Sequence, residues 1–169
     1  MPDLGPFHRE FVFIHILGVF AFLLAHGVSA GAMFRLRSER EPAALRALLG
    51  LSQASLMVMF VGAVLLFVSG IVAGFSGNYW TAGGLWLWAS LIVFIAVFLL
   101  MTPLARMPLD RVRKALDELT SGPPTPGSAV EPAPASLEVA VGALRPMLVA
   151  SLGVGAVVVL TWLMMYKPF

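Results

Sequence analysis

The chain has 169 residues, of which 59% are hydrophobic and 12% charged, with a net charge of +2 and no cysteine. Soluble domains run at roughly 45–50% apolar and about 25% charged, so both departures point to lipid as the solvent. The missing cysteines exclude disulfides, thiolate metal sites, iron–sulfur clusters and covalently attached c-type haem. No basic stretch carries interleaved aromatics, which excludes a nucleic-acid surface.

The first apolar window, about 11–34, is long enough for one crossing at about 20 residues per span. Its length, and Arg35 and Arg37 directly after it, indicate a retained span rather than a cleaved export signal. His15 and His26 fall inside it and His8 at its edge. At about 100° per residue the three share one helical stripe, with His15 and His26 about 16 Å apart along the axis. An ionisable group at membrane depth is a functional candidate by default, and imidazole is the commonest metal and haem ligand. The bland alternative is that each histidine bonds a carbonyl on a neighbouring helix and holds the bundle together.

Arg35, Arg37, Arg40 and Arg46 follow, with Glu41-Pro42 as a helix start that places proline at the first position. Residues 47–105 contain no Asp, Glu, Lys or Arg. Span two is expected at about 54–75 and span three at about 85–105. Tyr79, Trp80, Trp86 and Trp88 surround the turn between them as an interfacial belt. Thr102-Pro103 is expected to end or bend span three. Beyond it Leu109, Val112, Leu116 and Leu119 form one helical face. Either this segment lies on the membrane with Arg111, Arg113 and Lys114 reaching lipid phosphates, or it extends span three. Residues 121–136, with five prolines and two glycines, read as a flexible linker. Span four is expected at about 147–166, with Trp162 and Tyr166 at its far end.

Nine of the eleven basic residues lie between spans one and two or between spans three and four. The positive-inside rule puts those segments in the cytoplasm and both termini outside, in a cell inner membrane. The expected fold class is therefore all-α, a four-transmembrane-helix bundle with short cytoplasmic amphipathic helices, forming one membrane domain over 1–169. Gly27/Gly31, Gly70/Gly74 and Ser151/Gly155 are small-residue pairs at the four-residue spacing that permits close helix contact.

Methionine widens the ligand set. Met57 and Met59 fall near the depth of His26, and Met164 and Met165 near that of His15. Imidazole with thioether suits haem iron, as in cytochromes c, or copper. The candidate cofactor ligands are His15, His26, Met59 and Met164, with His15 and His26 as metal ligands and haem b or copper as the cofactor.

His15-Ile16-Leu17-Gly18, then His26-Gly27 and an arginine-rich turn, resemble small uncharacterised bacterial membrane proteins of about four helices. These are loosely similar to copper-resistance-D-type membrane proteins. The resemblance covers residues 11–46 and implies a bacterial cytoplasmic-membrane location with a histidine-bearing first helix.

Three functions follow. The leading one is redox-cofactor or metal binding through the first helix. The alternative is a non-catalytic accessory subunit, in a homo-oligomer or larger membrane complex, whose histidines are interhelical bonds. A channel or transporter ranks last, since the spans hold no Asp, Glu, Lys or Arg. Hydrolytic catalysis lacks a carboxylate pair or a nucleophile–base set at membrane depth.

Overall fold

A computed structural model describes residues 5–80, 84–121 and 135–168. After a short 3-10 turn at Gly5–Phe7, the elements are α1 (His8–Ser38), α2 (Pro42–Ser76), α3 (Leu85–Met101), a π-helical turn (Thr102–Arg106), α4 (Met107–Ser121), α5 (Ala135–Gly142) and α6 (Pro146–Tyr166). Every element is helical, and among the described residues four helical stretches are long and apolar enough to cross a membrane. Their outward surfaces are apolar: Phe20, Leu24, Val61, Val68, Ile92, Leu99 and Val158 are all exposed. Such a surface is stable only against hydrocarbon.

α1 and α2 pack along their whole length as an antiparallel hairpin. Glu39 makes the corner. Its carboxylate accepts the backbone N–H of Arg40 at 2.9 Å and of Glu41 at 3.1 Å, and Pro42 then opens α2. The crossing is tight because Gly18 and Gly62 meet there. A Cβ on Gly18 would lie 2.7 Å from the Leu66 nitrogen, and one on Gly62 would lie 2.8 Å from that of Phe22. These glycines, rather than the expected pairs, set the helix contact. Gly27, Gly31 and Gly155 face open space, and Ser151 is exposed. Gly70 and Gly74 receive side chains, the His15 ring and the Trp80 indole, instead of another backbone.

α6 docks against α1 and α3, and α2 reaches α3 through the stacked rings of Phe67 and Phe94, centroids 6.0 Å apart. The helices therefore form a ring. One end of the ring is aromatic, with Tyr79, Trp80 and Trp86, and the other carries the arginines.

At the arginine end α4 departs from the membrane-lying alternative. It continues α3 through the π turn, and its apolar face turns inward. Leu109, Val112, Ala115 and Leu116 bury against Leu137, Ala140, Val141 and Leu144, and against Met33, Leu36, Leu45 and Leu49 of α1 and α2. Leu119 shares that helix, but its side chain lies outside the described residues, as do linker positions 122–134. The helical flanks reach further into the expected linker, to Ser121 and from Ala135. The π turn has a local cause. Pro103 and Pro108 bring no backbone N–H to the helix ladder, and the Met107 N–H closes the wider ring onto the Thr102 carbonyl.

Candidate cofactor cavity

The helices line a half-open cavity of about 960 Å³, within the range of small-molecule and cofactor sites. Its wall is mostly aliphatic and aromatic. His8, His15 and His26 all line it, as the stripe on α1 requires.

The three imidazoles are held differently. His8 Nδ1 lies 2.8 Å from Ser76 Oγ, whose own proton goes to the Ala73 carbonyl, so His8 is the donor in that chain. His15 Nδ1 lies 2.6 Å from the Leu66 carbonyl oxygen. A carbonyl only accepts, so Nδ1 carries the proton, and in the neutral ring Nε2 keeps its lone pair. The ring fits because Gly70 has no side chain: a Cβ there would sit 2.9 Å from Nδ1. His26 is buried and stacks parallel to Phe22 with centroids 6.2 Å apart. Its Nε2 is buried and has no hydrogen-bond partner. It occupies the notch left by Gly153 of α6, where a side-chain carbon would collide with the ring.

The helix pairing sets which methionine shares a height with which histidine. Along α1 and α2, His8 faces Ser76, Gly18 faces Leu66, Phe22 faces Gly62, and Ser29 bonds Ser52 at 3.1 Å. Carrying the Phe22–Gly62 register on puts His26 about level with Val58, so that Met57 and Met59 flank its height. Along α6, Gly153 touches His26, and Met164 is eleven residues beyond it. His15 is eleven residues from His26 in the opposite sense on an antiparallel helix, so Met164 stands at the height of His15. His15, His26, Met59 and Met164 line the cavity, and these two methionines are half-buried. Met165 is exposed on the outside, and Met57 lines the wall but is largely exposed.

The cavity has a polar mouth at each end. Lys167 closes the aromatic end, with its ammonium 4.3 Å from the centre of the Tyr79 ring and 5.4 Å from that of Trp86. Arg106, Asp110 and Arg113 edge the arginine end, beside Ser29, Ser52 and Gln53. Sequence reasoning missed Gly153, Gly18 and Gly62, and it missed these mouth residues. Span four carries two glycines near the depth of His26, Gly153 and Gly155, and depth alone does not choose between them. The arginines depend on the π turn, which shifts the helix face by one residue.

The fold and its lipid-compatible surface define a multi-pass α-helical integral membrane protein with four spans. Residues 11–168 match the family described as "Predicted integral membrane protein (DUF2269)", and the chain belongs to that family. No curated protein and no solved structure matches the chain. The expected kinship with uncharacterised membrane proteins thus holds, while similarity to copper-resistance-D-type proteins finds no support in these comparisons.

Proposed function

We propose that the protein binds haem b in the cavity between its four spans, with imidazoles of α1 as iron ligands. The observation that carries this reading is that His26, a residue of the cavity wall, holds a buried Nε2 with no hydrogen-bond partner, seated against Gly153, so that a turn of the ring would be needed to offer it to a ligand. A buried nitrogen without a partner costs about 1–3 kcal/mol, a cost that a ligand would remove. His15 adds support. Metal-bound histidines almost always donate their second ring N–H to a carbonyl or carboxylate, and His15 makes that bond with Nε2 left over. The donor set is imidazole and thioether, His26 with Met59 and His15 with Met164, which suits haem iron. The same donors suit copper. Haem is preferred because the cavity is far larger than an ion, and because no three His, Cys, Asp or Glu side chains converge among the described residues. Bound haem would supply one-electron redox chemistry. The chain's own part would be to hold the iron, orient the imidazoles and exclude water with an aliphatic wall. The arginine end is inferred to face the cytoplasm and both termini the outside, by the positive-inside rule.

The test is one visible absorption spectrum of detergent-purified protein from haem-replete cells. A Soret band that is lost in His26→Gln or His15→Gln is expected. A colourless preparation free of iron and copper overturns the reading.

A second reading has its own observation. The bonds from His8 to Ser76 and from His15 to Leu66 both tie α1 to α2, as an accessory subunit of a larger complex would use them. Under it, glutamine at positions 15 and 26 leaves function intact. His26 is the residue this reading leaves unexplained.

A further inference from the structure

The cavity is apolar along its length, yet its mouths are cationic. Its described charged lining is Arg106, Arg113 and Lys167 against one acid, Asp110. Lys167 is already engaged on two aromatic rings. At the other mouth Asp110 is shared between both arginines, at 3.9 Å from Arg106 and 3.6 Å from Arg113. These distances are long, and the groups are solvent-facing, so the pairing is weak and both guanidiniums keep donors to spare.

The π turn is what brings these groups to the cavity. The lining face of α3 runs through Phe94, Phe98 and Met101. A regular helix at 3.6 residues per turn would carry that face on to Ala105, Pro108 and Val112. The π turn inserts one surplus residue: Thr102, Ala105 and Arg106 of the turn all line the cavity, and beyond it the face runs through Leu109, Asp110 and Arg113, while Val112 turns into the buried cluster. Such insertions recur at functional sites. A little deeper, the wall adds the Ser29–Ser52 hydroxyl pair and then the His26 side chain.

We propose that Arg106 and Arg113 form a carboxylate clamp at the arginine-end mouth, so that the cavity takes an apolar molecule bearing an acidic group. This rests on the reading of the cavity as a ligand site. The acid comes either from haem propionates or from a long-chain fatty acid. In both cases the body fills the apolar interior, and the carboxylate takes charge-assisted hydrogen bonds from the two guanidiniums.

The experiment uses full-length protein in neutral-lipid nanodiscs, at neutral pH. Two probe pairs are titrated: a pyrene-labelled hexadecanoic acid against its methyl ester, and haem b against its dimethyl ester. The acid of at least one pair is expected to bind about tenfold tighter than its ester, the scale of one hydrogen bond to a charged group. The double variant Arg106→Gln/Arg113→Gln should bring that acid down to its ester's affinity. The ester's own binding is unchanged and certifies the fold. Asp110→Asn, which releases both guanidiniums, should tighten acid binding by about threefold. Lys167→Gln should leave the preference intact. Discrimination in the haem pair alone assigns the clamp to propionates. Discrimination in the fatty-acid pair with no haem uptake keeps the clamp and rejects the haem reading. The clamp is overturned if acid and ester bind equally in both pairs, if neither pair binds, or if the preference survives in the double variant.

Discussion

His26 Nε2 occupies the space where a side chain on Gly153 would begin. The contact joins α1 to α6, the span that arrives after the proline-rich segment. Gly153→Ala forces the imidazole or the whole of α6 to move. Overpacking of this kind costs about 1–3 kcal/mol. The unfolding midpoint of the purified variant should fall accordingly. An unchanged midpoint would mean that the ring swings away freely and that the notch has no role in seating α6.

Leucine should destabilise the protein at position 15 but not at position 26. His15→Leu removes the interhelical bond to the Leu66 carbonyl, and such bonds in membranes are worth about 0.6–2 kcal/mol. His26→Leu removes a buried nitrogen that has no partner, at nearly constant volume, so the cofactor-free protein should be unchanged or more stable. Denaturation of cofactor-free samples compares the two directly. Equal destabilisation would show that His26 has a partner in the folded protein.

The glycines also divide into two sets. Gly18→Ala or Gly62→Ala drives a Cβ into the opposing backbone and should cost about 1–3 kcal/mol. Gly27→Ala and Gly31→Ala add a Cβ into open space and should stay within about 0.5 kcal/mol. Reversible unfolding in mixed micelles measures both sets. A large loss at Gly27 or Gly31 would reveal a contact with a second protein on that face.

The division explains what the sequence could disclose. Four spans follow from length and apolarity, because hydrocarbon demands that each span satisfy its own backbone. The histidine stripe follows from helical phase alone, and the tiers with Met59 and Met164 need only the antiparallel pairing of α1 with α2 and α6. Spacing cannot say which glycine receives a backbone and which a ring. Gly27/Gly31 and Gly18 are equally good candidates on paper, and only the crossing point selects Gly18. The inward turn of α4 was hidden for a related reason. An apolar face made by Leu109, Val112 and Leu116 suits lipid and protein alike, and its partner, Leu137 to Leu144, lies across the proline-rich stretch.

Glu39 gives a pH dependence outside the membrane. The backbone amides of Glu41 and Arg40 hold its carboxyl below the ordinary carboxylate value. A lowered value means that the carboxylate form favours the folded corner. Its contribution is complete above the ordinary value and disappears as pH falls through the lowered one. Hydrogen exchange at the Arg40 and Glu41 amides should therefore lose protection on acidification, after correction for intrinsic rates. In Glu39→Ala that loss should be absent. The same acid-dependent loss in the variant would assign it to another group.

The surplus residue in the π turn makes an unusual deletion tolerable. Removing one residue from a regular helix rotates everything beyond it by about 100° and separates buried faces from their partners. In the Thr102–Arg106 turn, deletion of Ala105 instead returns the segment to ordinary α geometry. The residues beyond it keep their bearing, so Leu109, Val112 and Leu116 stay on the buried cluster, and Asp110 and Arg113 stay at the mouth. Deleting Ala115 from α4 has no such surplus to absorb it and turns Leu116 out of the cluster. The Ala105 deletion should thus yield folded, monodisperse protein with a midpoint close to that of the parent. The Ala115 deletion should cost at least the burial of Leu116, about 1.5–3 kcal/mol. If the two deletions are equally damaging, Thr102–Arg106 does not hold an extra residue, and the arginines do not reach the cavity by this route.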